Sequence, residues 1–210
     1  MDVGYWFVFL SAAVLLTLSP GPDLIYILSR TITQGKKIGF ASSLGVCSGA
    51  LFHVVAAALG LSAILATSAM AFTVVKYVGA AYLIYLGYKA LRSAGESFDT
   101  ESSGEKNVSF WDAFKQGVLI DVLNPKVAVF FMAFLPQFVR PNEGSVTVQL
   151  IVLGVIVIVV GLTIEFLFVL LADKATRFLR NSRRFCAWLD RALGTILVGL
   201  GVRLALMEKP

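Results

Sequence analysis

The sequence predicts an all-α integral membrane protein of six transmembrane helices, arranged as two inverted three-helix repeats in which helices 1 and 4 are broken. Three observations carry this expectation. The chain is 58% hydrophobic and only 15% charged, with a mean hydropathy of +0.82, whereas soluble domains are about 45–50% apolar and about 25% charged. Six apolar segments are long enough to cross a hydrocarbon core of about 30 Å at 1.5 Å rise per residue. Two of them, the first and the fourth, are interrupted by proline at comparable places.

The first span is expected over Tyr5–Leu28; Met1-Asp2-Val3-Gly4 lacks the basic start of a signal peptide, so it reads as mature sequence. Ser19-Pro20-Gly21-Pro22-Asp23 breaks it, because proline lacks a backbone donor and clashes with the preceding helical turn. The second span, Gly39–Ala66, and the third, Ala69–Leu91, nearly touch across Thr67-Ser68 and form a tight hairpin. The fourth, Ala113–Phe134, is broken at Leu123-Asn124-Pro125-Lys126. The fifth and sixth are Val146–Leu171 and Phe185–Met207.

Irregular backbone at membrane depth survives only where its polar groups line a cavity or meet protein. A pair of breaks in corresponding segments of two halves is a sequence pointer to a transporter's binding site. The halves match elsewhere too. Lys76-Tyr77-Val78-Gly79 with Leu86-Gly87-Tyr88-Lys89 resembles Arg191-Ala192-Leu193-Gly194 with Leu200-Gly201-Val202-Arg203, and a glycine precedes an ionisable residue by one turn at Gly49/His53 and Gly161/Glu165. Three spans per half is odd, so the second half is upside down. The expected organisation is residues 1–92 as one membrane repeat, 93–112 as a polar cytoplasmic linker and 113–210 as the second repeat.

Lysine and arginine gather in loops that stay in the cytoplasm. Arg30, Lys36 and Lys37 follow the first span, Lys89, Arg92, Lys106 and Lys115 flank the linker, and Lys174, Arg177, Arg180, Arg183, Arg184 and Arg191 follow the fifth. Both termini are therefore expected outside. The net charge of +5 reflects this bias rather than nucleic-acid binding, and the Lys174–Arg191 stretch suits an anionic lipid surface. The two cysteines, Cys47 and Cys186, suggest neither a disulfide nor a metal pair, and they receive no function.

Five ionisable residues fall inside predicted spans, where a charge costs about 2.5–3.5 kcal/mol on an insertion scale. Asp23 either caps a helix resuming at Leu24 or holds a substrate ammonium or proton. Lys126, at the start of a resumed half-helix, either attracts a substrate carboxylate or pairs with Asp121 or Asp23. Asn124 caps that half-helix or bonds substrate. Glu165 either handles protons or bonds another helix; His53 is a packing element or a proton relay. Asp121 is expected near the cytoplasmic end of span four, as an access or ion-pair residue. The expected substrate site is Pro20, Gly21, Pro22, Asp23, Asn124, Pro125 and Lys126, with Asp23, Glu165 and His53 as proton-coupling candidates. The spacing Gly45-Val46-Cys47-Ser48-Gly49 suits close helix packing, and Phe130, Phe131, Phe134 and Phe138 read as core or lipid-facing.

No phosphate loop, zincin histidine pair or nucleophile elbow is present in the sequence, so neither enzyme chemistry nor a cofactor or metal is expected. The alternatives are a carrier for another solute or cation, and a non-transporting membrane enzyme or assembly subunit.

Ser19-Pro20-Gly21-Pro22-Asp23, Gly79-Ala80-Ala81-Tyr82-Leu83-Ile84-Tyr85-Leu86-Gly87, Leu123-Asn124-Pro125-Lys126 and Phe134-Leu135-Pro136-Gln137-Phe138-Val139 together resemble the LysE/RhtB family of amino-acid exporters. The resemblance runs over essentially the whole chain, although members often carry asparagine at the position of Asp23 and aspartate near Glu165. It implies efflux of amino acids or their analogues across the bacterial inner membrane, in exchange for protons.

Overall fold

The computed structural model describes residues 3–19, 21–67, 69–92, 108–172, 174, 178 and 182–206. Pro20, Ser68, residues 93–107 of the expected linker and most of the basic stretch after the fifth span lie outside the described residues.

Helices alone form the described structure. The first expected span is two helices, α1 (Val3–Leu18) and α2 (Pro22–Gln34), bent by 52°. Gly21 stands between them in an extended conformation, as the residue before a proline must, and Pro22 occupies the first helical position of α2, where its missing N–H has no partner to lose. Helix α3 (Lys36–Thr67) and α4 (Ala69–Arg92) follow. Helix α5 (Phe110–Val122) begins with a serine N-cap. The Ser109 hydroxyl accepts from the Asp112 amide at 3.2 Å and donates to its carboxylate at 2.7 Å. Residues 110–112, expected in the linker, are thus the first turn of α5.

The fourth expected span breaks where the sequence says it should. Asn124 is extended ahead of Pro125, and a short helix α6 (Pro125–Val129) resumes, bent by 56° from α5. It then widens into a π turn (Phe130–Phe134) and tightens into a 3-10 turn (Leu135–Phe138). Pro136 cannot donate to the helical ladder there, and the Gln137 side-chain amide donates to the Ala133 carbonyl at 2.9 Å instead. Helices α7 (Val146–Leu170) and α8 (Arg183–Leu206) complete the chain.

Among the described residues, α3 (through Lys36–Gly60) and α7 are long and apolar enough to cross a bilayer alone, and counting each bent pair as one span gives four. Helices α4 and α8 are 24 residues each, about 36 Å at 1.5 Å per residue.

Two kinds of contact hold the helices. Glycines let backbones meet. A Cβ on Gly194 would lie 2.8 Å from the Gly87 carbonyl oxygen, and one on Gly201 would lie 2.9 Å from that of Ala80, so α4 and α8 pack main chain to main chain. Gly117 does the same between α5 and α3, where its Cβ would meet the Ser42 carbonyl at 2.5 Å and the Val46 amide at 3.0 Å; Gly45 and Gly49 lie on the same seam. The expected packing role of Gly45 and Gly49 is thereby explained. At the other end of the molecule, aromatic rings fill the space. Phe130 and Phe134 stack at 4.3 Å between centroids, Phe138 lies 4.6 Å from Phe134, and Phe9 of α1 sits 5.2 Å from Phe138. These phenylalanines are core, not lipid-facing.

The glycine seams predict a contrast. Gly194→Val should push α8 off α4 and lower both the monodisperse fraction in detergent and the thermal midpoint. Gly199→Ala, where an added Cβ meets nothing within 4 Å, should leave both unchanged or slightly raised.

Candidate functional site

The two breaks meet. Lys126, in the first turn of α6, extends its ammonium to the end of α1, 3.4 Å from the Leu16 carbonyl and 3.3 Å from that of Ser19. Those carbonyls have no partner inside α1, and they carry the partial negative charge of a helix C-terminus. The same ammonium lies 3.8 Å from Asp23 Oδ1, in the first turn of α2, where a carboxylate suits the positive helix end. Gly21 permits the approach, since a Cβ there would sit 2.7 Å from Lys126 Nζ. Of the two ion pairs the sequence left open for Lys126, the fold makes the one with Asp23. Ser19 also ties this junction to α8 by donating to Asp190 Oδ1 at 3.2 Å.

Asn124 caps α6. Its Oδ1 accepts from the Lys126 amide at 3.0 Å, while its buried Nδ2 has no hydrogen-bond partner. Pro22 and Pro125 are exposed and act on the backbone, setting the first turns of α2 and α6. Pro20 lies outside the described residues.

Beside the junction is a cavity of about 40 Å³, lined in part by Thr17, Asp23, Cys47, Asp121, Gly161 and Glu165. That is room for a few waters at most. Three carboxylates from α2, α5 and α7 therefore border one space. Asp121, expected at the cytoplasmic end of its span, lines this cavity because α5 stops one residue later and the break sets that point inside the protein. Its Oδ2 is buried without a hydrogen bond and lies 3.9 Å from His53 Nε2, which is 3.0 Å from the Asp121 carbonyl oxygen. His53 also stacks on Phe131, with centroids 6.4 Å apart.

Glu165 is buried in α7 and accepts at Oε2 from the Ser43 hydroxyl at 2.6 Å and the Cys47 thiol at 3.5 Å. Ser43 and Cys47 were not anticipated. Their signal was available, since residues four apart on one helix share a face, but only the packing of α7 on α3 shows that the face meets Glu165. Among the described residues, no group of three or more His, Cys, Asp or Glu side chains is close enough to hold a metal ion.

The electrostatic character follows. Asp23, Asp121 and Glu165 border the cavity, while the nearby bases are Lys126, already shared with two carbonyls, and His53. Buried charges need partners. Around this space the carboxylates outnumber the bases that face them.

Residues 14–208 match the family described as LysE type translocator. The chain belongs to that family. It is 34% identical over 205 residues to an uncharacterized membrane protein of Bacillus subtilis, covering 94% of this chain and 97% of the other. It is 32% identical over 205 residues to a homoserine/homoserine lactone efflux protein of Salmonella typhimurium, covering 98% of each. A Vibrio cholerae membrane protein is 31% identical with the same coverage. No solved structure matches. The resemblance read from the motifs is thus confirmed, and the two breaks that meet at Lys126 belong to a LysE-type translocator.

The cap at Asn124 yields a prediction independent of transport. Asn124→Ala should destabilise the folded protein by about 1 kcal/mol and Asn124→Ser by much less, read as thermal midpoints in detergent. Equal midpoints for all three would remove the cap from the account of the break.

Proposed function

We propose that this translocator exports amino acids or close analogues from the cytoplasm in exchange for protons, through the junction of its two breaks. The observation that carries the reading is the Lys126–Asp23 pair across that junction. An α-amino acid is a carboxylate and an ammonium on one carbon, and it can replace such a pair one charge for one charge. Its carboxylate takes Lys126 and the amide-rich start of α6, and its ammonium takes Asp23, with Asp121 close by. The LysE-type membership and the efflux protein among the relatives support the direction and the substrate class.

In this reading α1–α2, α3 and α4 form one repeat and α5–α6, α7 and α8 the other, inverted about the junction, with six spans and both termini outside. The similar bends of 52° and 56° support it. So does the packing of α4 on α8, which are corresponding helices of the two halves. With that orientation, the α3–α5 glycine seam closes the cytoplasmic side. The cluster of Tyr5, Phe9, Phe134 and Phe138 closes the outer side, where the Tyr5 hydroxyl donates to the Phe138 carbonyl at 2.7 Å. The cavity of about 40 Å³ between them is smaller than an amino acid, which fits an occluded conformation. Substrate enters when the glycine seam parts and leaves when the aromatic cluster parts. Protonation of Asp23 from outside removes the charge that holds the ammonium, and Glu165, held by Ser43 and Cys47, is the second proton position.

The test is efflux of labelled amino acids from preloaded proteoliposomes. Acidifying the bath should accelerate wild-type efflux. Asp23→Asn and Lys126→Gln should each lower it about tenfold or more, the loss expected when a charge-assisted contact to the substrate is removed, with both variants still folded in the membrane. Undiminished efflux in both would overturn the site. A rate indifferent to bath pH would remove proton coupling and leave a carrier driven by the solute gradient. Glu165→Gln should weaken the response to bath pH more than it weakens exchange of internal for external amino acid.

A further inference from the structure

Away from the junction, the last turns of α1 and the C-terminal half of α7 leave a space between them. That space is a groove of about 640 Å³, walled by Val14 and Leu18 of α1 and Leu167 and Phe168 of α7, and its one charged wall residue is Lys174, past the end of α7. Its size lies within the range of about 300–1,000 Å³ usual for ligand clefts. Leu171 and Lys174 also line an adjoining pocket of about 480 Å³, whose other walls include Thr31, Gly35 and Lys36 at the turn from α2 into α3. An apolar trough therefore opens into a pocket with two lysines. Among the described residues neither lysine takes part in an ion pair.

We propose that this double pocket binds an anionic phospholipid, with an acyl chain in the α1–α7 groove and the phosphate between Lys36 and Lys174. The trough is too apolar for a soluble anion to need and the paired lysines have no use for a neutral lipid. Lys36 opens α3 and Lys174 follows α7, and lysines at the ends of membrane helices suit the headgroup level of a bilayer. The sequence has the same bias there, since residues 173–191 contain six basic and two acidic side chains. The site is separate from the junction, and its existence does not depend on which solute is exported.

Native mass spectrometry of the full chain, offered equal amounts of phosphatidylglycerol and phosphatidylethanolamine in mixed micelles, tests this. Phosphatidylglycerol should be retained preferentially. The Lys36→Gln/Lys174→Gln double variant should reduce that retention about tenfold or more, as expected for two lysines at a lipid headgroup, while Lys115→Gln leaves it unchanged. Leu167→Trp, which fills the groove and leaves the lysines, should reduce retention of phosphatidylglycerol as well. Variants are compared only at equal monodispersity and helical circular dichroism. Equal retention of the two lipids, or retention unaffected by the double variant, would overturn the proposal. Displacement of the lipid by excess glycerol phosphate would reduce the site to a headgroup anion site, and lipid-free dimers abolished by Leu167→Trp would assign the groove to a second copy of the chain. Either result would overturn it too.

Discussion

A chain that breaks two helices inside a bilayer exposes backbone carbonyls and amides where no water can satisfy them, and everything else in this fold answers that constraint. Lys126 is the principal answer. From the start of α6 it reaches back to the carbonyls of Leu16 and Ser19 at the end of α1 and lies beside Asp23 at the start of α2, so one ammonium serves both sides of the first break. Asn124 supplies the matching answer at the second break by capping α6 through the Lys126 amide. The polar groups freed by two prolines are thus gathered at one place, which is why the proposed zwitterion site is put there.

The packing around the junction is of two kinds. Where glycines bring α4 against α8, main chain touches main chain, and small displacements collide with carbonyl oxygens. The α3–α5 seam is built the same way, and its end at Asp121 borders the cavity, so parting it changes the cavity directly. The aromatic cluster across the junction is held mainly by ring contacts around a π turn and a 3-10 turn, which lack the regular ladder of an α-helix. A closed glycine seam on one side and closed rings on the other leave a space sized for water.

The charges around that space are unbalanced. Three carboxylates border it, and the nearest lysine is already divided among Asp23 and two carbonyls. Ser43 and Cys47 hold Glu165 by hydrogen bonds rather than by a full opposite charge. In the proposed export cycle, protons and substrate ammonium are the positive charges that this site would receive.

Much of this was legible in the sequence because the rules involved are local. Proline at positions 22 and 125 dictates where helices stop and restart, apolar length dictates which segments are helices, and the Asn124-Pro125-Lys126 order places a cap, a first turn and a charge in sequence. Composition alone established the membrane class, and the ordered motifs pointed to the LysE-type family. Local rules cannot say which faces of distant helices meet. Whether Lys126 paired with Asp23 or Asp121 depended on how sharply two spans bend, and Asp121 reached the cavity only because the break lies inside the protein. Cys47 looked inert until α7 brought Glu165 to it, and the lysines at 36 and 174, far apart in the chain, share a pocket only in the folded chain. The sequence by itself determined where the backbone had to break; tertiary packing decided which charges close those breaks, because partner choice in a low-dielectric interior depends on distances of a few ångströms between helices that no local pattern specifies.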